Sequence, residues 1–171
     1  MARGNRSSRG RGDITQTVEG HDQDYKEKTD ALEHDAEDHR VECDAIEGME
    51  GIGTEEGMEA VTGSLHEAKA TSEQEFVDDG AALEQAQGEG EEFEGELNER
   101  TESNEADLQK IGDASEQVHS DSATTRIEQA ESQTREDIEF LRGEEERSRQ
   151  SRESAQHQHE QLKQVVHGTG G

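Results

Sequence analysis

ITQTVEGHDQDYKEKTDALEHDAEDHRVECDAIE, residues 14–47, decides how the rest of the chain is read. Val18, Tyr25, Leu32, His39 and Ile46 recur at strict sevens. Seven residues are two turns of an α-helix, so one helical face collects all five. Asp22 with Lys26 and Asp24 with Lys28 stand four apart with the acid first, the order that supports a helix. The companion positions on the same stripe, His21, Lys28, Asp35 and Glu42, are polar. A helix over about 14–47 therefore offers a seam with one apolar column, and its interface is narrow or wet.

Working toward the C-terminus, Gly48, Gly51, Gly53 and Gly57 fall within ten residues. Each glycine disfavours a continuing helix by roughly 1 kcal/mol relative to alanine, so the chain is expected to turn there. Thr54 is placed to cap a second helix, with Glu55 and Glu56 in a first turn where the macrodipole favours acid. That helix is expected over about 54–87, through Met58, Val61, Leu65, Phe76 and Leu83. Gly88, Gly90 and Gly95 predict another bend. A third helix over about 96–112 carries Leu97, Asn104, Leu108 and Ile111, with Val118 continuing the column. Gly112, Asp113 and Glu116 resemble a capping box and predict a break before a fourth helix over about 114–166, which holds Ile127, Ile138, Leu141, Ala155, Leu162, Val165 and Val166.

Toward the N-terminus, residues 1–13 are Gly, Ser and Arg with little to bury and read as a disordered basic arm. No aromatic residue interleaves its arginines, so nucleic-acid binding is not expected of it. Arg11-Gly12-Asp13 spells a known adhesion tripeptide but is too short to carry a reading. Residues 167–171 are expected to form a flexible tail. The fold class is all-α: an elongated antiparallel helical hairpin, or a three- to four-helix coiled-coil-like assembly.

Composition agrees with this class. The 171 residues include no proline, only 25% are hydrophobic, and Tyr25, Phe76, Phe93 and Phe140 are the only aromatic residues apart from histidine. Burying one large apolar side chain stabilises by roughly 1.5–3 kcal/mol, while ordering one residue costs on the order of 1.5 kcal/mol. So sparse a stripe leaves an isolated protomer near balance, and self-association as a homo-oligomer or a protein partner is expected. The 45 acids outnumber the 17 Lys and Arg. They concentrate in residues 13–141, where 40 acids face 8 bases, while residues 1–12 carry four Arg and no acid. Such a body repels phosphates and anionic membrane surfaces and attracts basic proteins. Most of this charge is read as solvated helix face.

Cys43 is the single cysteine, which excludes an intrachain disulfide and points to a reducing compartment, the cytoplasm. No apolar run approaches a membrane span, and no apolar stretch follows the first arginines as in a signal peptide. Export would then require a non-classical route.

Three sets of residues bear candidate chemistry. Asp35, His39 and Cys43 lie four apart on one helical face, near His34 and Asp38, and all are metal-ligating types. His39 belongs to the seven-residue column, and a seam histidine beside a small buried Cys is the simpler reading. Glu116 and His119 make one Glu-x-x-His, whereas a di-iron bundle needs two such pairs and further glutamates. His157, His159 and His167, of the residue type suited to a switch near neutrality, lack carboxylates at ligand spacing and are read as surface residues and weak metal binders. No nucleophile stands with a base and an orienting partner, so no catalytic, cofactor or metal residue is assigned and the chain is read as a non-enzyme.

The expected function is a structural or interaction protein, a helical scaffold or adaptor. Two alternatives stand beside it. An acidic chaperone or mimic would shield a basic client. A helical-hairpin substrate or adaptor of a specialised bacterial secretion system would also be small, acidic and helical, although a Trp-x-Gly turn cannot occur in a chain without tryptophan. Carboxylates at i, i+3 and i+4, such as Asp35, Asp38 and Glu42, repel one another when charged. Folded carboxylate pKa values are therefore expected to be raised, with stability growing on mild acidification.

Overall fold

The computed structural model describes residues 10–50 and 56–168, which form three helices: α1 (Arg11–Glu50), α2 (Glu56–Ser115) and α3 (Asp121–Gly168). No strand occurs among the described residues, and the protein is all-α. Gly10 supplies the first acceptor of α1, its carbonyl receiving the Asp13 and Ile14 N–H groups at 3.1 and 3.2 Å. The basic stretch thus becomes helical at Arg11, three residues earlier than expected, and the adhesion-like tripeptide is the first turn of a helix. Residues 1–9, Thr54 with its proposed capping role, and residues 169–171 lie outside the described residues. His167 and Gly168, expected in a flexible tail, close α3 instead.

The main departure concerns α2. The helices expected over 54–87 and 96–112 are one helix, and neither Gly88, Gly90 and Gly95 nor Gly112 interrupts it. No glycine among the described residues has a positive φ, so none is used as a left-handed helix stop. The columns explain why. Phe76, Leu83, Gly90 and Leu97 follow one another at sevens and are all buried. A bend at Gly90 would break that register and cost more apolar contact than the glycines cost in helix propensity. The chain reverses instead at residues 116–120, without glycine or proline. Ser120 starts α3 there: its Oγ accepts the Ala123 N–H at 3.3 Å, and its carbonyl accepts the Thr124 N–H at 3.0 Å.

The expected columns are where the burial lies. Val18, Tyr25, Leu32, His39 and Ile46 are all buried, and of their polar companions Asp35 is buried while His21, Lys28 and Glu42 are half-buried. In α3, Leu141, Ser148 and Ala155 form one buried column and Ile138, His159 and Val166 belong to another. The second helix keeps Phe76 and Leu83 inside but leaves Val61 exposed.

Two compact units share these helices, one comprising residues 1–22 and 88–151, the other 23–87 and 152–171. In the first, Ile14, Val18, Phe93, Leu97 and Leu141 form the core, with Phe140 packed against it. Helices α1 and α3 run parallel within it, as Arg11 pairs with Asp137 and Ser151 with Asp22, while α2 and α3 run antiparallel, as Arg142 pairs with Glu105 and Ser148 with Glu94. In the second unit, Tyr25, Leu32, Ala36, Phe76, Leu83, Ala86, Ala155 and Val166 form the core, with Leu162 against it. Its α1 and α2 segments are antiparallel, since His39 meets Glu73 and Glu42 meets Ser72.

One glycine is required by contact. A Cβ at Gly80 would lie 2.8 Å from His159 Nε2, so the missing side chain is what admits the buried imidazole to α2. A Cβ at Gly88 would meet nothing within 4 Å. Gly88→Ala should accordingly raise stability by roughly 0.5–1 kcal/mol, whereas Gly80→Ala should lower it, both read from denaturant melts. Equal gains at the two positions would show that His159 is not held in place. By the same measurement Leu97→Ala should cost roughly 2–4 kcal/mol, and Ile111→Ala, only half-buried, distinctly less.

Candidate functional site

The helix seam of the second unit holds two of the three residue sets singled out for chemistry. Asp35, His39 and Cys43 do share one face of α1, as their spacing requires. Asp35 and His39 each turn to a partner on α2. His39, 1% exposed, donates from Nε2 to Glu73 Oε1 at 3.0 Å. Glu42 accepts from Ser72 Oγ at 2.6 Å. Asp35 faces the carboxyl of Asp79. The Cys43 sulfur is 3.8 Å from both ring nitrogens of His39. Equal distances place Sγ beside the ring between the two nitrogens, not in line with either, so thiol and imidazole are not aligned as nucleophile and base. No group of three or more His, Cys, Asp or Glu among the described residues has a geometry that could hold a metal ion.

The partners Glu73 and Asp79 are the residues that reading the sequence missed. A signal for Asp79 was present: Ser72, Asp79, Ala86 and Phe93 also recur at sevens, as the companion column to Phe76, Leu83, Gly90 and Leu97. A polar residue in that column is obliged to face the polar companion column of α1.

Asp35 has the most perturbed acid in this seam. It is 5% exposed, and its Oδ2 is buried with no hydrogen-bond partner. Burial, then the hydrogen bond and charge of Asp79, then the charges of Glu75 and Asp38 push its pKa from 3.8 up to about 7. An acid facing it across the α1–α2 seam makes the charged form of Asp35 costly, so its carboxyl holds a proton more readily than an ordinary one. The general expectation of raised carboxylate pKa values is met at this acid, while at the exposed Glu37 the hydrogen bond from Arg40 lowers the pKa instead.

The histidines at the C-terminal end divide. His159 is buried against Gly80 and the Phe76 ring, whose centroid is 6.0 Å away, and burial with the nearby Lys163 charge lowers its pKa. His167 approaches the same Phe76 ring edge-on at 6.0 Å. His157 is exposed and linked to Gln161 at 3.2 Å. The rings of Phe76, His159 and His167 line a groove of about 210 Å³ with Val77, Ala81, Glu84 and Lys163. Glu116 and His119 are exposed at the α2–α3 turn. Comparison with protein-family models, curated proteins and solved structures finds no match to this chain.

The buried pair gives a pH dependence of definite sign. A carboxyl whose folded pKa exceeds its unfolded value binds more protons when folded, so its contribution grows as pH falls from about 7 toward about 4 and is lost as pH rises through about 7. His159 opposes it, because an imidazole held neutral destabilises the fold as pH falls below 6.5. Asp35→Asn keeps a donor for Asp79 and removes the titration. The difference between the stability–pH curves of the two proteins should therefore show Asn favoured at pH 8, on the order of 2–4 kcal/mol, and the gap closing toward pH 4. Parallel curves would mean that Asp35 titrates as an ordinary surface acid.

Proposed function

We propose that this chain is a non-enzymatic structural or interaction protein, a helical scaffold or adaptor that self-associates or binds a protein partner. The observation that carries the reading is the content of the seams. Seam positions that a stability-driven core would fill with apolar residues hold His39, Ser72, Glu94 and Ser148, each bonded to a named residue on the facing helix. Polar residues at such positions fix register and choice of partner at the expense of stability. This is how a protein is built when its helices must meet one particular surface.

Charge favours a second reading, an acidic protein that shields a basic client. The surplus of acids over residues 13–141 would draw a basic partner by long-range attraction. The two readings part on salt. Association through seams persists as ionic strength rises, whereas binding through the acidic surface weakens steeply within the Debye screening range. The secretion-substrate reading has no residue-level support beyond size, charge and helicity.

Sedimentation velocity over a wide concentration range, at low and at high salt, tests the leading reading. Reversible association that survives high salt, with a melting temperature that falls on dilution, is the expected result. A monomer at every concentration with a concentration-independent melt removes the self-associating scaffold. Retention of polylysine at low salt only would then favour the shielding protein.

A further inference from the structure

Within the first unit the helical columns continue beyond the helix that covers them. Leu97, Thr101, Ile138 and Leu141 are buried where α1 lies alongside α2 and α3. Between Thr101 and Ile138 no residue is buried, although the columns run on in the same register: Asn104, Leu108 and Ile111 on α2, Ile127 and Thr134 on α3, all half-buried. The reason lies at the start of α1. Its first residue, Arg11, pairs with Asp137 at 2.6 Å and sits 5.1 Å above the Phe140 ring. Among the described residues, α1 fills the third-helix position up to that level.

We propose that the α2–α3 hairpin between Thr101 and Ile138 is a docking face for one basic amphipathic helix of a partner protein, laid in line with α1. The proposal rests on the reading of the chain as an interaction protein and names the surface and the chemistry of the partner. Three observations select that occupant. The face is an apolar stripe in helical register, so it fits side chains at i, i+3, i+4 and i+7 of another helix. The stretch 102–137 around it carries ten Asp and Glu against three Lys and Arg, so the helix that fits is basic on its flanks. Arg11 over Phe140 and against Asp137 already shows how an arginine of a third helix meets this surface. Asn104, polar and half-buried within the stripe, supplies a register mark.

Other occupants fit less well. A second copy would bring the same acidic stretch against itself. Residues 1–9 include Met1 and Ala2 as their only apolar side chains and cannot cover the three half-buried apolar residues Leu108, Ile111 and Ile127. From residue 104 to 115 the α2 part of the face is about 18 Å long at 1.5 Å per residue, so a partner helix of three to four turns covers it.

The test uses the full chain and a designed, fluorescently labelled peptide with leucines at i, i+3 and i+4 spacing and lysine and arginine elsewhere. A peptide of identical composition in scrambled order is the control. At physiological salt the amphipathic peptide should bind with one-to-one saturation and the scrambled one at least about tenfold more weakly. The paired substitution Leu108→Ser with Ile111→Ser should weaken binding by at least about tenfold, with helicity by circular dichroism unchanged. Asp107→Lys with Glu128→Lys, at exposed positions, should weaken it independently of any apolar loss, while Val41→Ser in the other unit should leave it unaltered. Equal binding of the scrambled peptide, or full binding by both paired variants, overturns the proposal. So does dimerisation abolished by the Leu108 and Ile111 pair, which assigns the face to a second copy, or binding that appears only after residues 1–9 are removed, which assigns it to the chain itself. If the peptide fails while the chain still associates through other surfaces, the docking face falls and the scaffold reading stands.

Discussion

A buried polar side chain without a partner costs on the order of 1–3 kcal/mol, and this protein has too few apolar residues to absorb many such losses. The described residues bury Thr29, Asp35, His39, Ser72, Glu94, Thr101, Ser148 and His159 beside fifteen apolar ones. Much of the architecture is arranged so that these groups are bonded. Thr29 and Thr101 turn their hydroxyls to carbonyls of their own helix, at Tyr25 and Leu97. Ser72 bonds both the Lys69 carbonyl and Glu42, and Ser148 reaches Glu94. His39 is met by Glu73. A shift of one helix along another breaks the bonds that cross between helices, Ser72 to Glu42, Ser148 to Glu94 and His39 to Glu73, so the polar seam sets register in each unit, while the apolar columns set which faces meet.

Asp35 stands apart from that pattern. Its facing group is another acid, and burial together with that acid raises its pKa to about 7. A buried charge would need a cation beside it, and the seam places Asp79, Glu75 and Asp38 around Asp35. The same scarcity of bases that makes the surface so acidic thus reaches into the interior. It links the electrostatics of the whole chain to one helix contact, and it makes the α1–α2 packing of the second unit sensitive to pH near neutrality.

The places where sequence reasoning fell short have physical causes. Glycines were read by their intrinsic cost, so a break was expected at Gly88 to Gly95. Propensity is a local term, however, and the register of Leu83, Gly90 and Leu97 against the core outweighs it. The turn at residues 116–120 has no glycine or proline to announce it and depends on the Ser120 cap. The suspected ligand set of Asp35, His39 and Cys43 was correctly placed on one face. What it lacked was the facing helix, where His39 meets Glu73 and Asp35 meets Asp79.

The sequence by itself determined the secondary structure class and which residues of α1 point inward, because a seven-residue spacing is a property of one helix and needs no neighbour to be read. Composition likewise determined that the seams would be thin and partly polar. Only the tertiary structure decided which columns face each other, since pairing depends on contacts between residues far apart in the chain. It also decided that Gly80 makes room for His159 and that Asp35 meets an acid. Finally, it decided where α1 stops covering the α2–α3 hairpin: Leu108, Ile111 and Ile127 fit the same periodicity as their buried neighbours, and only the position of Arg11 beside Asp137 and Phe140 shows that they lie beyond the third helix.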